Sequence, residues 1–289
     1  MKYAYYPGCS LHSTGIEYDI SSKLVAKRMG IELKEIPDWN CCGASAAHTT
    51  NHMLGLALPA RNLAIAEKEG LDVLAPCAAC YNRMKTTELA VKASEQTKQK
   101  IANITEMDYQ GNIGVKTALE VFVKDAGLEA VKALATKTLG GMKVAAYYGC
   151  LLVRPHDVGI DDMENPMLMD DMVTALGGEA VQWPFKTECC GASLPTAKGK
   201  VGLKLVYDIL SMAQSVGAEA IVTACPLCFV NLDMRQSDLN KKVSGSSFKI
   251  PIFYFTELMA IAFGEKPASA GAGKHFVNTS EILAKYNLK

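Results

Sequence analysis

Leu71-Asp72-Val73-Leu74-Ala75-Pro76-Cys77-Ala78-Ala79-Cys80 runs from an apolar segment into a C-x-x-C pair, and Ala220-Ile221-Val222-Thr223-Ala224-Cys225-Pro226-Leu227-Cys228 does the same. Short apolar, β-branched runs of this kind read as buried strands. Separated from each pair by thirty-four intervening residues stands an adjacent pair, in Cys41-Cys42-Gly43-Ala44-Ser45 and Cys189-Cys190-Gly191-Ala192-Ser193. Further upstream, Ala4-Tyr5-Tyr6-Pro7-Gly8-Cys9 answers Ala146-Tyr147-Tyr148-Gly149-Cys150. The frames are C-x31-CC-x34-C-x2-C and C-x38-CC-x34-C-x2-C, and they use all ten cysteines of the 289-residue chain. Five positions under one constraint, twice over, point to two equivalent thiolate-rich sites.

The rest of each half alternates short apolar runs with longer helical patterns, the signature of βα units round a parallel sheet. Lys2 to Tyr6 and Val144 to Tyr148 read as first strands, Ile31 to Ile36 and Glu179 to Trp183 as second strands. Ile16, Ile20, Leu24 and Met29 share a helical face that ends at Gly30. In the second half Asn165 is the expected N-cap and Pro166 the first helical residue, before Met169, Met172, Val173 and Leu176. Helices are expected from His52 to Glu69, from Lys198 to Val216, and from Tyr81 and Phe229 onward, with Ile252 to Phe255 as a fourth strand of the second half. Val115 to Thr138 reads as a closing helix pair with a linker, and Ala268 to Gly273 as a small-residue hinge before a polar tail.

The expected fold is therefore α/β: two homologous domains, 1–138 and 139–289, each a small parallel sheet flanked by helices and related by pseudo-twofold symmetry. Every cysteine group then lies just past the carboxyl end of a strand, where open parallel sheets place their ligand sites.

Thirty basic residues balance thirty acidic ones, so the chain has no electrostatic footprint for nucleic acid or an anionic membrane surface. Residues 1–10 lack the basic and long apolar regions of a secretory signal, and no apolar run reaches membrane-spanning length. A cytoplasmic location is expected, where thiols stay reduced and ten ordered cysteines favour metal or redox chemistry over disulfides.

Structural zinc would explain either C-x-x-C in isolation, but a tetrahedral ion takes four ligands and leaves the fifth cysteine without a role. Adjacent cysteines pair as a disulfide only with strain. An iron-sulfur cluster suits an all-thiolate donor set, although five donors exceed the four of an ordinary cubane. Gly8, Gly149, Gly43 and Gly191 would let backbone come close to such a group, and helix N-termini would stabilise its negative charge.

With this frame assembled, the chain resembles the cysteine-rich CCG-domain family, in particular the B subunits of heterodisulfide reductase from methanogenic archaea, over residues 1 to 264. The resemblance implies two noncubane 4Fe-4S clusters, one held by Cys9, Cys41, Cys42, Cys77 and Cys80, the other by Cys150, Cys189, Cys190, Cys225 and Cys228. It implies reduction of the mixed disulfide of coenzyme M and coenzyme B to two thiols, with the two sites facing each other across a cleft. It also implies an obligate complex: the C-type heterodisulfide reductase subunit, with ordinary 4Fe-4S clusters, as electron donor; the A-type one, with a bifurcating flavin; and a hydrogenase or formate dehydrogenase module beyond. No Gly-x-Gly-x-x-Gly loop suggests a flavin in this chain itself. The alternatives are a related CCG-domain oxidoreductase component that works on another disulfide or persulfide, or a zinc or electron-transfer scaffold.

A substrate with sulfonate, phosphate and carboxylate ends calls for cations beside the cysteines. Arg83, Arg154, His156, Lys186 and Lys198 are the candidates by position, and His48, just after the first CCG run, is the candidate proton donor to a departing thiolate. Each could equally be a solvated or ion-paired residue. Tyr5-Tyr6 and Tyr147-Tyr148 read as packed strand residues, and the methionines as core filler.

Overall fold

The computed structural model describes residues 1–44 and 46–289; Ser45, the end of the first CCGAS run, lies outside the described residues. Two four-stranded sheets form, with strand orders β2-β1-β3-β4 and β6-β5-β7-β8. The first contains β1 (Lys2–Tyr5), β2 (Glu32–Glu35), β3 (Val73–Leu74) and β4 (Val115–Lys116); the second contains β5 (Lys143–Tyr147), β6 (Glu179–Ala180), β7 (Ala220–Thr223) and β8 (Ile252–Tyr254). Every pairing is parallel, with Tyr5 opposite Leu74 and Tyr147 opposite Thr223. In both sheets the chain goes to one side of the first strand and then crosses to the other. That reversal opens a crevice at the carboxyl ends of β1 and β3, and of β5 and β7.

The expected two-domain α/β architecture is observed, and burial explains it. β7 is buried along its length, as a central parallel strand covered on both faces must be, whereas edge strand β2 exposes Glu32 and Glu35. Tyr5, Tyr6, Tyr147, Tyr148 and Tyr254 are fully enclosed. Burying a large side chain of this kind contributes about 1.5–3 kcal/mol.

The helices differ from expectation at instructive places. Those after each C-x-x-C begin at Ala78 and Pro226, so Cys77 and Cys225 are their N-caps and Cys80 and Cys228 lie in their first turns. The helix expected at Pro166 begins at Leu168, because the Asp161 carboxylate accepts the N–H groups of Met167 and Leu168 at 2.7 and 2.8 Å. Asn165 instead donates its own N–H to Asp162. Residues 115–138 hold β4, a π-helix Glu120–Asp125 and a short helix Leu128–Leu134 rather than a helix pair. The expected hinge is a helical turn, Pro267–Ala270, followed by Gly271 packed on Glu17, where a Cβ would come within 2.6 Å. The tail is anchored too, with Leu283 and Leu288 buried.

Helix Ile16–Arg28 of the first repeat packs against helix Phe255–Ala262 of the second. Ser21 and Thr256 share a hydrogen bond of 2.6 Å there, and the Tyr18 and Tyr254 rings stack 4.2 Å apart, with Phe229 on the other side of Tyr254 at 4.3 Å.

Candidate functional site

Three loops deliver the cysteines of each site. Cys9 follows β1, Cys41 and Cys42 follow β2, and Cys77 follows β3, while Cys150, Cys189-Cys190 and Cys225 stand in the same relation to β5, β6 and β7. The fifth thiol comes from the helix that starts there. In the first site Cys42 Sγ lies 3.3 Å from Cys80 Sγ, and Cys41 Sγ lies 3.9 Å from Cys9 Sγ. In the second, Cys190 Sγ is 3.5 Å from Cys228 Sγ, and all five thiols line one cavity of about 30 Å³.

Matching backbone holds both sites. Gly8 and Gly149 take φ values of +66° and +64°, and a Cβ on them would sit 3.2 Å from Cys80 Sγ and 3.1 Å from Cys228 Sγ. Glycine thus lets backbone approach the thiols at these two positions. Gly43 and Gly191 act differently: their N–H groups donate to Cys41 Sγ and Cys189 Sγ at 3.5 and 3.3 Å. Tyr6 and Tyr147 donate their hydroxyls to the carbonyls of Asn40 at 2.8 Å and Glu188 at 2.6 Å, which fixes the loop leading into each cysteine pair.

The thiols polarise one another. A hydrogen bond from Cys41 lowers Cys42, to about 4, helped by a second from Cys80, by the Ala44 N–H and by the charge of Arg83, against the effect of burial. Cys189 is lowered to about 6, chiefly by a hydrogen bond from Cys150 and, against burial, by the Gly191 N–H. Cys190 is lowered by Cys228, and the donors Cys80, Cys150 and Cys228 are raised in turn. Within each group some thiols are thus favoured as thiolates at the expense of the neighbours that donate to them.

The two groups meet. Tyr18 donates its hydroxyl to the Pro76 carbonyl at 3.1 Å and lies 3.4 Å from the Ala224 carbonyl, so one side chain touches the residues immediately before Cys77 and Cys225. Cys225 is lowered chiefly by Cys228 and then by Cys77, while Cys225 pushes Cys77 up, so the two thiols act on each other across the repeats. Ala78 and Ala79 of the first repeat help to line the second repeat's cavity. Asn82 completes the junction, donating to the carbonyls of Leu151 and Arg154, and Tyr81 donates to Val158 at 2.7 Å.

An all-sulfur set of five donors with glycine-lined approach and N–H groups aimed at sulfur fits an iron-sulfur group better than a single tetrahedral ion. Among the described residues, no three histidine, cysteine or carboxylate side chains surround one point as ligands of a lone ion would. The sulfurs are in pairwise contact, and a polynuclear group would part those pairs.

The other candidates scatter. Arg83 is half-buried, its guanidinium donates to Asn82 Oδ1 at 2.7 Å, and it is the cation nearest the cysteines in effect, since its charge acts on Cys42. Lys186 corrects the expectation: it is buried, pairs with Asp170 at 2.9 Å and donates to the Pro166 carbonyl, so its charge is unavailable to a ligand. Arg154 pairs with Glu164 at 2.8 Å. His156 is exposed beside Asp157 and lines an open groove with Asp161, Asp162 and Glu164, whose charges oppose an anion. His48 and Lys198 are exposed, on the turn after the first CCG run and at the start of helix Gly199–Ser215. Tyr18, Asn82 and Asn231 were not singled out by the sequence. Asn231 carried a signal, standing three residues beyond Cys228 as Arg83 stands beyond Cys80, but Tyr18 carried none.

The CCG cysteine-rich domain model matches residues 3–85 and 144–233. The chain is 33% identical to the 8-methylmenaquinol:fumarate reductase membrane anchor subunit of Wolinella succinogenes, over 97% of this chain and 99% of that one. It is 28% identical to the B subunit of the ferredoxin/F420H2-dependent CoB-CoM heterodisulfide reductase of Methanosarcina acetivorans, over 98% of this chain and 96% of that one. A hypothetical protein from Helicobacter pylori of known crystal structure shares the fold, with a TM-score of 0.77 at 14% identity over 96% of this chain; the present chain spans 52% of that protein.

Proposed function

Because the chain belongs to the CCG cysteine-rich domain family, we propose that it is the disulfide-reducing subunit of a heterodisulfide reductase-type complex, with the mixed disulfide of coenzyme M and coenzyme B as substrate. The observation that carries this reading is the junction of the two sites, where the Tyr18 hydroxyl meets the carbonyls just before Cys77 and Cys225 and Ala78 and Ala79 line the second site's cavity. Disulfide reduction consumes two electrons and two protons, breaks one S–S bond and releases two thiols, so two matched sites on either side of one bond suit the stoichiometry. Noncubane 4Fe-4S clusters held by the two sets of five cysteines would supply those electrons one at a time.

The chain's own residues then have separable tasks. Cysteine pairs beside glycine N–H groups hold negative charge, Arg83 attracts an anionic end of the substrate, and the small side chains of Ala78 and Ala79 leave room at the junction. His48, exposed on the turn after Cys42, is the proposed proton donor. All ten cysteines of this chain lie in the two groups, so electrons arrive through partner proteins, which we take to be the C and A types of heterodisulfide reductase with an upstream hydrogenase or formate dehydrogenase. Among the described residues no helix is long and apolar enough to cross a membrane, and we place the assembly in the cytoplasm.

Anaerobic purification with partners, iron and sulfide analysis, and assay on the mixed disulfide test the reading. About eight irons and eight sulfides per copy of this chain, beyond those of its partners, are expected with disulfide turnover, and Cys189→Ser should remove one cluster and abolish two-electron turnover. Zinc in place of iron would overturn the proposal. A second reading follows from the 33% identity to the Wolinella protein, above the 28% to the Methanosarcina one: electron passage within a quinol:fumarate reductase. A cluster-loaded assembly inactive on disulfides but able to couple 8-methylmenaquinol oxidation to fumarate would establish it instead.

A further inference from the structure

The two sites match in sulfur but not in charge. Aligned on their last cysteine, the repeats place Arg83 where Asn231 stands, each three residues beyond Cys80 or Cys228. Three residues along a helix is one face, so Arg83 and Asn231 share a face with Cys80 and Cys228. Asn231 Nδ2 is 3.4 Å from Cys190 Sγ and donates to the Ala192 carbonyl at 2.9 Å, a neutral dipole in the second site. Arg83 holds the matching helix position in the first repeat, with its guanidinium bonded to Asn82 Oδ1 at 2.7 Å and its positive charge acting on Cys42. A second position repeats the contrast. The residue before the adjacent cysteines is Asn40 in the first repeat and Glu188 in the second, and their equivalence is structural, since the Tyr6 and Tyr147 hydroxyls bond their carbonyls. The Glu188 carboxylate acts on Cys189 in the direction opposite to Arg83 on Cys42.

We propose that Arg83 and Glu188 make the two redox sites unequal, so that the site of Cys9, Cys41, Cys42, Cys77 and Cys80 is reduced first and holds the electron in the singly reduced protein. This rests on the iron-sulfur reading above. Reduction adds negative charge, which a nearby guanidinium favours and a nearby carboxylate opposes. Electrons would then enter the second site only once the first is filled, and a disulfide at the junction would meet an electron-rich first site before an electron-poor second one.

The test is an anaerobic redox titration of the loaded complex followed by electron paramagnetic resonance, with the two signals assigned by Cys189→Ser. Two separate potentials are expected, the first site the higher. Arg83→Asn, which installs the second repeat's own residue, should lower the first site's reduced-to-oxidised ratio about tenfold at fixed potential, which is 59 mV for a one-electron couple. Glu188→Asn should raise the second site's ratio by less, because that residue is exposed and screened. Arg83→Lys should keep the order, and iron and sulfide contents should stay constant throughout. Equal or inverted potentials in the unmodified protein, or variants that leave their own site unmoved while clusters are intact, would overturn the asymmetry and leave the functional reading standing. Absence of iron and sulfide would overturn both.

Discussion

Gly149 lies against Cys228 so closely that a Cβ on the glycine would stand 3.1 Å from the Sγ. The thiol is fixed in the first turn of helix Pro226–Lys242, and the glycine backbone is left-handed at φ +64°. Gly149→Ala therefore combines a steric demand on a ligand with a backbone cost of about 1–2 kcal/mol. The expected outcome is loss of about four irons, one cluster of the two held by this chain, from the loaded complex, with far-ultraviolet dichroism unchanged. Full iron content in the variant would show that the contact does not shape the site.

Tyr18 can be tested without disturbing its ring. Tyr18→Phe keeps the stack on Tyr254 and removes the hydroxyl that serves the Pro76 and Ala224 carbonyls. A stability loss of about 1–2 kcal/mol is expected, the cost of a buried hydrogen bond and its orphaned acceptors, read as a lower denaturant midpoint with an unchanged slope.

Lys186 and Asp170 form a buried ion pair, with the Tyr148 hydroxyl on the other carboxylate oxygen at 2.9 Å. Burial raises the Asp170 carboxyl, while Lys186 and Tyr148 oppose it. Removing one partner leaves an uncompensated charge, so Lys186→Met should cost about 3–5 kcal/mol, and Lys186→Met with Asp170→Leu should cost much less. A double-mutant cycle in urea measures both. Additive losses would contradict the pairing.

Glu219 ties the C-terminal helix to β5. Burial pushes its carboxyl up, but the Lys143 N–H, Lys285 and Tyr286 outweigh it and hold the group at about 2, from an ordinary value of 4.5. Since the folded value is the lower one, the stabilisation is complete above pH 4.5 and is lost as pH falls toward 2. Solvent screening limits it to about 1 kcal/mol or less. Glu219→Gln should lower the urea midpoint at pH 7, and the difference from the unmodified protein should shrink below pH 4.5 and vanish only near or below pH 2.

The repeat, the succession of parallel strands and the cysteine loops were legible because cysteine spacing and apolar strand runs are local signals repeated twice, whereas the order of strands within each sheet was not read. β4 was not, since Val115 and Lys116 form a two-residue strand whose partner, β3, lies about forty residues earlier. Residues 268–289 read as a hinge and polar tail because Leu283 and Leu288 are isolated apolar residues whose burial depends on distant packing. Lys186 read as a cleft cation because its neighbour Asp170 is remote in sequence and buried for reasons of tertiary packing. Charge asymmetry between the sites was written at Arg83 and Asn231, but only the shared placement of their side chains gives the comparison meaning.

The packing of helix Ile16–Arg28 against helix Phe255–Ala262 also sets an order of events during synthesis. The first repeat leaves the ribosome with one helix face lacking its cover, and that cover is made of residues translated more than two hundred positions later. Neither half of the duplication is thus a finished folding unit when its own cysteines are complete, and assembly of both sites has to wait for the last quarter of the chain.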